Sequence, residues 1–101
     1  MIRNALVLDG VIAECGVLRR TPAGMPVLEF SLEHVSRQVE AGIEREVRCE
    51  VAVLALGDVA LSAQAHRPGD KVTLTGFLAA RSARHKGLVM HVNTIEILEG
   101  N

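Results

Sequence analysis

The chain predicts an all-β domain, a five-stranded barrel with one short helical segment between strands 3 and 4, and three observations carry that expectation. Five segments alternate apolar and polar residues with the period of a β-strand. Only Val59–His66 is alanine-rich enough to hold a helix, and it spans about two turns. Clusters of Pro, Gly and Asp punctuate the segments where turns are needed.

The first strand is expected over Ala5–Ala13, with Leu6, Leu8, Gly10 and Ile12 in one phase and Val7, Asp9 and Val11 in the other. Gly10 in mid-strand points to a bulge or a sharp bend. The turn Arg19–Pro26 holds two prolines and a glycine. A second strand from Val27 to about Ser36 sets Leu28, Phe30 and Leu32 against Glu29, Ser31 and Glu33, and His34 continues the apolar phase as a core-edge residue. Arg37–Glu44 is polar, carries Gly42 and reads as a mobile hairpin loop.

In the third strand, Arg45–Leu54, the residues Val47, Cys49, Val51 and Val53 face one way and Glu46, Arg48 and Glu50 the other. That phase makes Cys49 a small buried hydrophobe. Asp58 is the expected cap of the helical segment, and Pro68-Gly69-Asp70 ends it. Lys71–Ala80 is the fourth strand, with Val72, Leu74, Gly76 and Leu78 in phase. Leu88–Leu98 is the fifth, and its change of phase between Val92 and Ile95 implies a bulge near Asn93-Thr94.

A chain of 101 residues is expected to form one domain, 1–101, because two halves would each be too small to bury a core. A hydrophobic fraction of 49% is too high for disorder, and no apolar run nears the roughly 20 residues that span a bilayer. The start Met1-Ile2-Arg3-Asn4 lacks the features of a secretory signal, so a cytoplasmic protein without a membrane partner is expected. Cys15 and Cys49 are far apart and form no metal set with the four scattered histidines, which leaves two free thiols and no cofactor. The only aromatic rings of the Phe, Tyr and Trp class are Phe30 and Phe77. Phe77 is out of phase with its strand and is assigned to the core or to a dimer interface.

Three strands, a short helix and two strands is the order of the OB-fold, a Greek-key barrel that binds oligonucleotides on strands 2 and 3 and on the 1–2 and 4–5 loops. The 4–5 loop here is Arg81-Ser82-Ala83-Arg84-His85-Lys86-Gly87, and no carboxylate lies between Asp70 and Glu96. That is a local concentration in a chain with 11 Lys+Arg, 12 Asp+Glu and a formal net charge of −1. Arg19 and Arg20 fall in the 1–2 loop, Arg37 and Arg45 flank the 2–3 loop, and Arg48 lies on the outward phase of strand 3. A basic tip can simply keep a turn solvated. On this fold, though, Arg19, Arg20, Arg37, Arg45, Arg48, Arg81, Arg84 and Lys86 converge on the surface that would hold nucleic acid.

Three blocks carry a further resemblance: Arg20–Gly24, Val27–Leu32 and Gly69–Leu78. With the Leu32-Glu33-His34 strand end, the Glu40-Ala41-Gly42 loop and the close at Glu96-Ile97-Leu98, they resemble the single-stranded DNA-binding superfamily and, within it, the bacterial primosomal replication protein N family. The resemblance implies a homodimeric OB-fold that binds single-stranded DNA without sequence preference and bridges a restart helicase and a loading factor in the replication-restart primosome. It also implies DNA contacts at Arg19, Arg81, Arg84 and Lys86. Arg48 and Ile43 stand where family members carry aromatic rings.

Without those rings, binding would rest on phosphate contacts and on guanidinium planes laid against bases. Arg48 either stacks in this way or pairs with Glu46 or Glu50. Val7, Val11 and Phe77 in the outward phases favour a homodimer. No catalytic spacing or phosphate-cradling glycine loop argues for an enzyme. The alternative reading is an OB-fold adaptor whose basic loop contacts an acidic protein segment.

Overall fold

The computed structural model describes residues 1–98. Along the chain run β1 (Leu6–Cys15), β2 (Arg19–Arg20), β3 (Pro26–Glu40), β4 (Ile43–Leu56), α1 (Asp58–Ala63), β5 (Lys71–Ala80) and β6 (Leu88–Ile97). The sheet order is β1-β5-β6-β4-β3-β2, and β1 pairs with β3 as well, closing five strands into a barrel. Every pairing is antiparallel except β4 with β6. This is the expected OB-fold, with the two-residue β2 added on the outer side of β3.

The barrel closes because β1 serves two neighbours. Leu6–Val11 pairs with β5, and Val11–Cys15 pairs with β3. At the changeover, a Cβ on Gly10 would lie 2.5 Å from the Glu33 carbonyl oxygen and 2.7 Å from the Leu32 side chain. Glycine is therefore required there for close approach. The bulge expected at Gly10 falls instead at Ala13, since Ile12 faces Leu32 and Glu14 faces Ser31. In β6 the irregularity sits where the phase change put it: Thr75 faces Thr94 and Gly76 faces Val92, leaving Asn93 over.

Inside, Ile12, Leu28, Phe30, Leu32, Val53, Val72, Leu74 and Met90 form the buried cluster. Their phases on β3 and β5 are those read from the alternation. α1 contributes Ala60 and Ala63 to the same cluster. It is shorter than Val59–His66, and the residue at its N-cap is Gly57 rather than Asp58. Asp58 is the first helical residue and makes no side-chain capping bond. Its charge can still favour the helix N-terminus.

The largest departure lies at Arg37–Glu44, which is strand rather than loop. β3 and β4 stay in register down to Glu40 opposite Ile43. Ala41 (φ 54°) and Gly42 (φ 77°) alone make the turn. Positive φ at both positions matches the twist of the paired strands, which keeps a two-residue hairpin tight. β1 meets β3 only up to Glu33, and β6 meets β4 only at Val53–Ala55. The hairpin from His34 to about Ala52 is therefore a two-stranded arm projecting from the barrel.

An arm paired only with itself should open more readily than the wall. Amide hydrogen exchange is expected to be faster over 36–47 than at Val53, Leu74 or Met90. An alanine in the left-handed region costs about 1–2 kcal/mol, so Ala41→Asn should recover part of that and slow exchange in the arm by at least about twofold. Equal protection in arm and wall would contradict this description.

Candidate nucleic-acid interface

The 81–87 loop is shaped by its own backbone. The Arg81 N–H donates to the Gly87 carbonyl at 2.8 Å and the Ser82 N–H to the His85 carbonyl at 3.0 Å. The His85 N–H donates in turn to Ser82 Oγ at 3.0 Å. These bonds leave the Arg84 and Lys86 side chains exposed, with no ion pair among the described residues. Arg81 turns the other way and its Nη1 reaches Glu29 Oε1 of β3 at 3.3 Å. That contact ties the basic loop to the barrel wall.

At the same end of β3, Arg19 pairs in register with Val27 and Arg20 with Pro26. The two arginines thus belong to a short strand, not to a free loop. The Arg20 guanidinium also donates to the Gly24 carbonyl across the Pro22-Ala23 turn, at 3.0 Å. Arg37 lies eight residues beyond Glu29, about 26 Å along the strand at the usual rise.

Residues opposite one another in an antiparallel pair share a face. The β3–β4 register therefore puts Glu29, Glu33, Arg37, Glu44, Glu46, Arg48 and Glu50 on the outer face. Arg45, opposite Gln38, lies on the other face with Ile43 and Glu40. The structure brings Arg37, Arg48 and Arg81 to one surface and leaves Arg45 off it.

That surface is not the basic stripe that the arginines alone suggested. Arg37 pairs with Glu44 at 2.7 Å, Arg48 with Glu46 at 2.7 Å, and Arg45, behind, with Glu40 at 2.8 Å. Of the two readings of Arg48, the ion pair is the one realised in the unbound chain, and its partner is Glu46 rather than Glu50. The side chains are all at least 46% exposed, so such pairs contribute about 0.2–1 kcal/mol each and can exchange partners. Apart from Glu46 and Glu50, which were weighed for Arg48, the carboxylates are what reading the cations alone missed. Their signal was the strand alternation, which puts Glu29 and Glu33 in one phase of β3 and Glu46 and Glu50 with Arg48 in one phase of β4.

Between the loop and the wall lies a groove of about 320 Å³ lined by Glu14, Glu29, Ser31, Glu50, Ala52 and Arg81, among others. Ser31 Oγ is buried there without a hydrogen-bond partner. Three carboxylates around the groove disfavour a phosphate inside it. Arg81 is the one cation among its lining residues.

Three other expectations resolve here. His34 is half-buried and bonds the Asp9 carbonyl at 2.7 Å and Ser36 Oγ at 2.8 Å, which makes it a structural residue at the base of the arm. Phe77 is outside the core. It is 36% exposed and stacked on His91, with ring centroids 5.1 Å apart. The outward phase of β5 places it over β6, and Leu54 and Leu56 border the same hollow. Cys49 is exposed rather than buried, because its part of β4 is in the arm, past the barrel wall.

Known proteins share this architecture. A family model described as "another single-strand binding protein family" matches residues 4–94. The replication restart protein PriB of Proteus mirabilis is 37% identical over 103 residues, covering 98% of this chain and 97% of that one. The solved structure of PriB from Ralstonia solanacearum superposes with a TM-score of 0.87 at 31% identity, covering 97% of this chain and all of the other. The single-stranded DNA binding protein of Thermus aquaticus gives a TM-score of 0.77 at 26% identity, covering 97% of this chain and 51% of the other.

The two thiols should differ in reactivity. Cys49 is exposed, whereas burial pushes the Cys15 thiol above its ordinary pKa and keeps it protonated. A disulfide reagent at neutral pH should label one cysteine quickly, and Cys49→Ser should abolish that fast phase. A fast phase that survives the substitution would show the assignment to be wrong.

Proposed function

We propose a role in replication restart for this chain, which belongs to the single-strand binding protein family and within it to the PriB replication restart proteins. It binds single-stranded DNA without sequence preference, as an accessory of the primosome. The observation that carries this at residue level is the 81–87 loop, which presents Arg84 and Lys86 unpaired and is drawn to the β3–β4 face by Arg81. Phosphates meet this loop together with Arg19 and Arg20 at the near end of β3. Arg48 and Arg37 extend the path along the arm, and Arg45 contributes only to strands that wrap its edge.

The proposed role is that of a binding protein rather than an enzyme, acting on DNA in the cytoplasm. The partners that fit it are a restart helicase and the next loading factor. The adaptor reading, in which the basic loop takes an acidic protein segment, has less behind it, because the similar proteins are named for single-strand binding and for replication restart. Bases have few rings to stack on here, where each stack would add about 1–3 kcal/mol. Binding is therefore weak and driven by phosphates.

For single strands, log K falls with log[salt] at about 0.7 per phosphate neutralised. Replacing Arg81, Arg84 and Lys86 together with Ala should flatten that slope by roughly 2, equally for every base composition. Arg48→Ala should cost affinity with little change of slope if its guanidinium lies on a base. Anisotropy of labelled dT oligomers over a salt series decides. A triple variant that binds like wild type at all salt concentrations would remove the loop from the site.

A homodimer completes the proposal. Val7 is 68% exposed on β1, and the 6–10 stretch of that strand pairs on one edge only. Beside it Val11, Val35 and Leu98 line an apolar hollow of about 370 Å³. Light scattering at micromolar concentration should give twice the chain mass, and Val7→Lys should halve it. A monomeric wild type would refute self-association.

A further inference from the structure

We propose that Glu29 is a brake on DNA binding: it holds Arg81 in the unbound chain, so that a phosphate must displace a carboxylate to recruit that arginine. The proposal rests on the reading that the 81–87 loop meets DNA. Of the three cations in the loop, only Arg81 is tied down, and the contact spans 52 residues of sequence. The other three arginine–glutamate pairs join neighbours on one hairpin: Arg37–Glu44 and Arg45–Glu40 cross between its strands and support their pairing, and Arg48–Glu46 lies along β4. The Arg81–Glu29 pair has no such duty. The loop is closed by the Arg81–Gly87 and Ser82–His85 backbone bonds, and these survive when the guanidinium leaves.

The surroundings set the direction of the effect. Glu29 shares its groove with Glu14 and Glu50, so the bound guanidinium is held where a phosphate is repelled. To meet DNA, Arg81 swings out of this acidic groove and leaves Glu29 uncompensated. The pair is also releasable: its side chains are 46% and 48% exposed, at a separation of 3.3 Å. An exposed pair of this kind changes an equilibrium by between about 1.4- and 5-fold. Glu29 therefore tunes affinity without abolishing it. A carboxylate that holds no cation of the proposed site, such as Asp58, would not do so.

The test is a double-mutant cycle read by anisotropy of a labelled dT oligomer at low salt, with folding checked by circular dichroism. Glu29→Gln should bind between about 1.4- and 5-fold more tightly than wild type. In an Arg81→Ala background the same change should gain distinctly less, since no arginine remains to be released. Asp58→Asn, which removes the same charge at the start of α1, reports the gain from net charge alone and should fall below Glu29→Gln. An unchanged affinity in Glu29→Gln overturns the brake, as does a gain equal to that of Asp58→Asn or one undiminished without Arg81. In each of these outcomes wild type still binds, so the functional reading stands. A wild type that binds no dT at any salt concentration overturns both.

Discussion

The unbroken register between β3 and β4, from Val27 opposite Leu56 to Glu40 opposite Ile43, is the pairing on which the rest of the molecule depends. Its inner half supplies two barrel walls, with Phe30, Leu32, Val53 and Ala55 in the core. Its outer half leaves the barrel as an arm, neither face of which meets a core. Val35 and Val39 on the outer face and Ile43 on the other are therefore each at least half exposed. A shift of one residue would exchange the faces, putting Glu29 and Glu33 inside and Leu32 outside. Barrel, arm and proposed interface are thus one decision about strand register.

The same register decides the electrostatics. An interface for a polyanion would be strongest with unopposed cations, yet the outer face alternates arginine and glutamate. In high dielectric each such pair gains little, and the exposed carboxylates lower the local potential that would draw DNA in. On the proposed reading such a face holds DNA loosely and through phosphates, so that binding weakens as salt rises. Loose binding suits an accessory factor that hands a strand on to others more than one that must store it. The few aromatic rings point the same way: Phe30 is in the core and Phe77 lies on the far side of β6, against His91.

Most of the fold was legible because the core strands alternate cleanly and the turns carry Pro, Gly and Asp. The bulge at Asn93 was legible too, since an extra residue must shift the apolar phase. The arm was not. Arg37–Glu44 has four charged or amide residues and a glycine among its eight, and polarity in a strand with no core on either side looks the same as polarity in a loop. Cys49 was misread for a related reason: alternation gives the face but not whether anything covers it. At the site, the loop and its cations could be read from sequence because they are local. The Arg81–Glu29 contact could not, since it joins residues 52 apart and depends on how the barrel closes. The alternation did offer Glu46 as a partner for Arg48, and the partners of Arg37 and Arg45 were within its reach as well.

β4 and β6 meet over only three residue pairs, Val53 with Met90, Leu54 with His91 and Ala55 with Val92, and this is the one parallel seam in the barrel. The seam joins strands separated by α1 and β5, whereas the β3–β4 hairpin closes over two residues. A hairpin forms in about 1–10 μs, but non-local pairing must first meet the entropy of closing a long loop. Loop-closure entropy thus favours early assembly of the arm and late closure of the barrel, whose β4–β6 and β1–β5 pairings join residues far apart in the chain. Until that seam forms, the unpaired edge of β4 stays open to other strands. An open strand edge of this kind is where a partly closed barrel is exposed to aggregation.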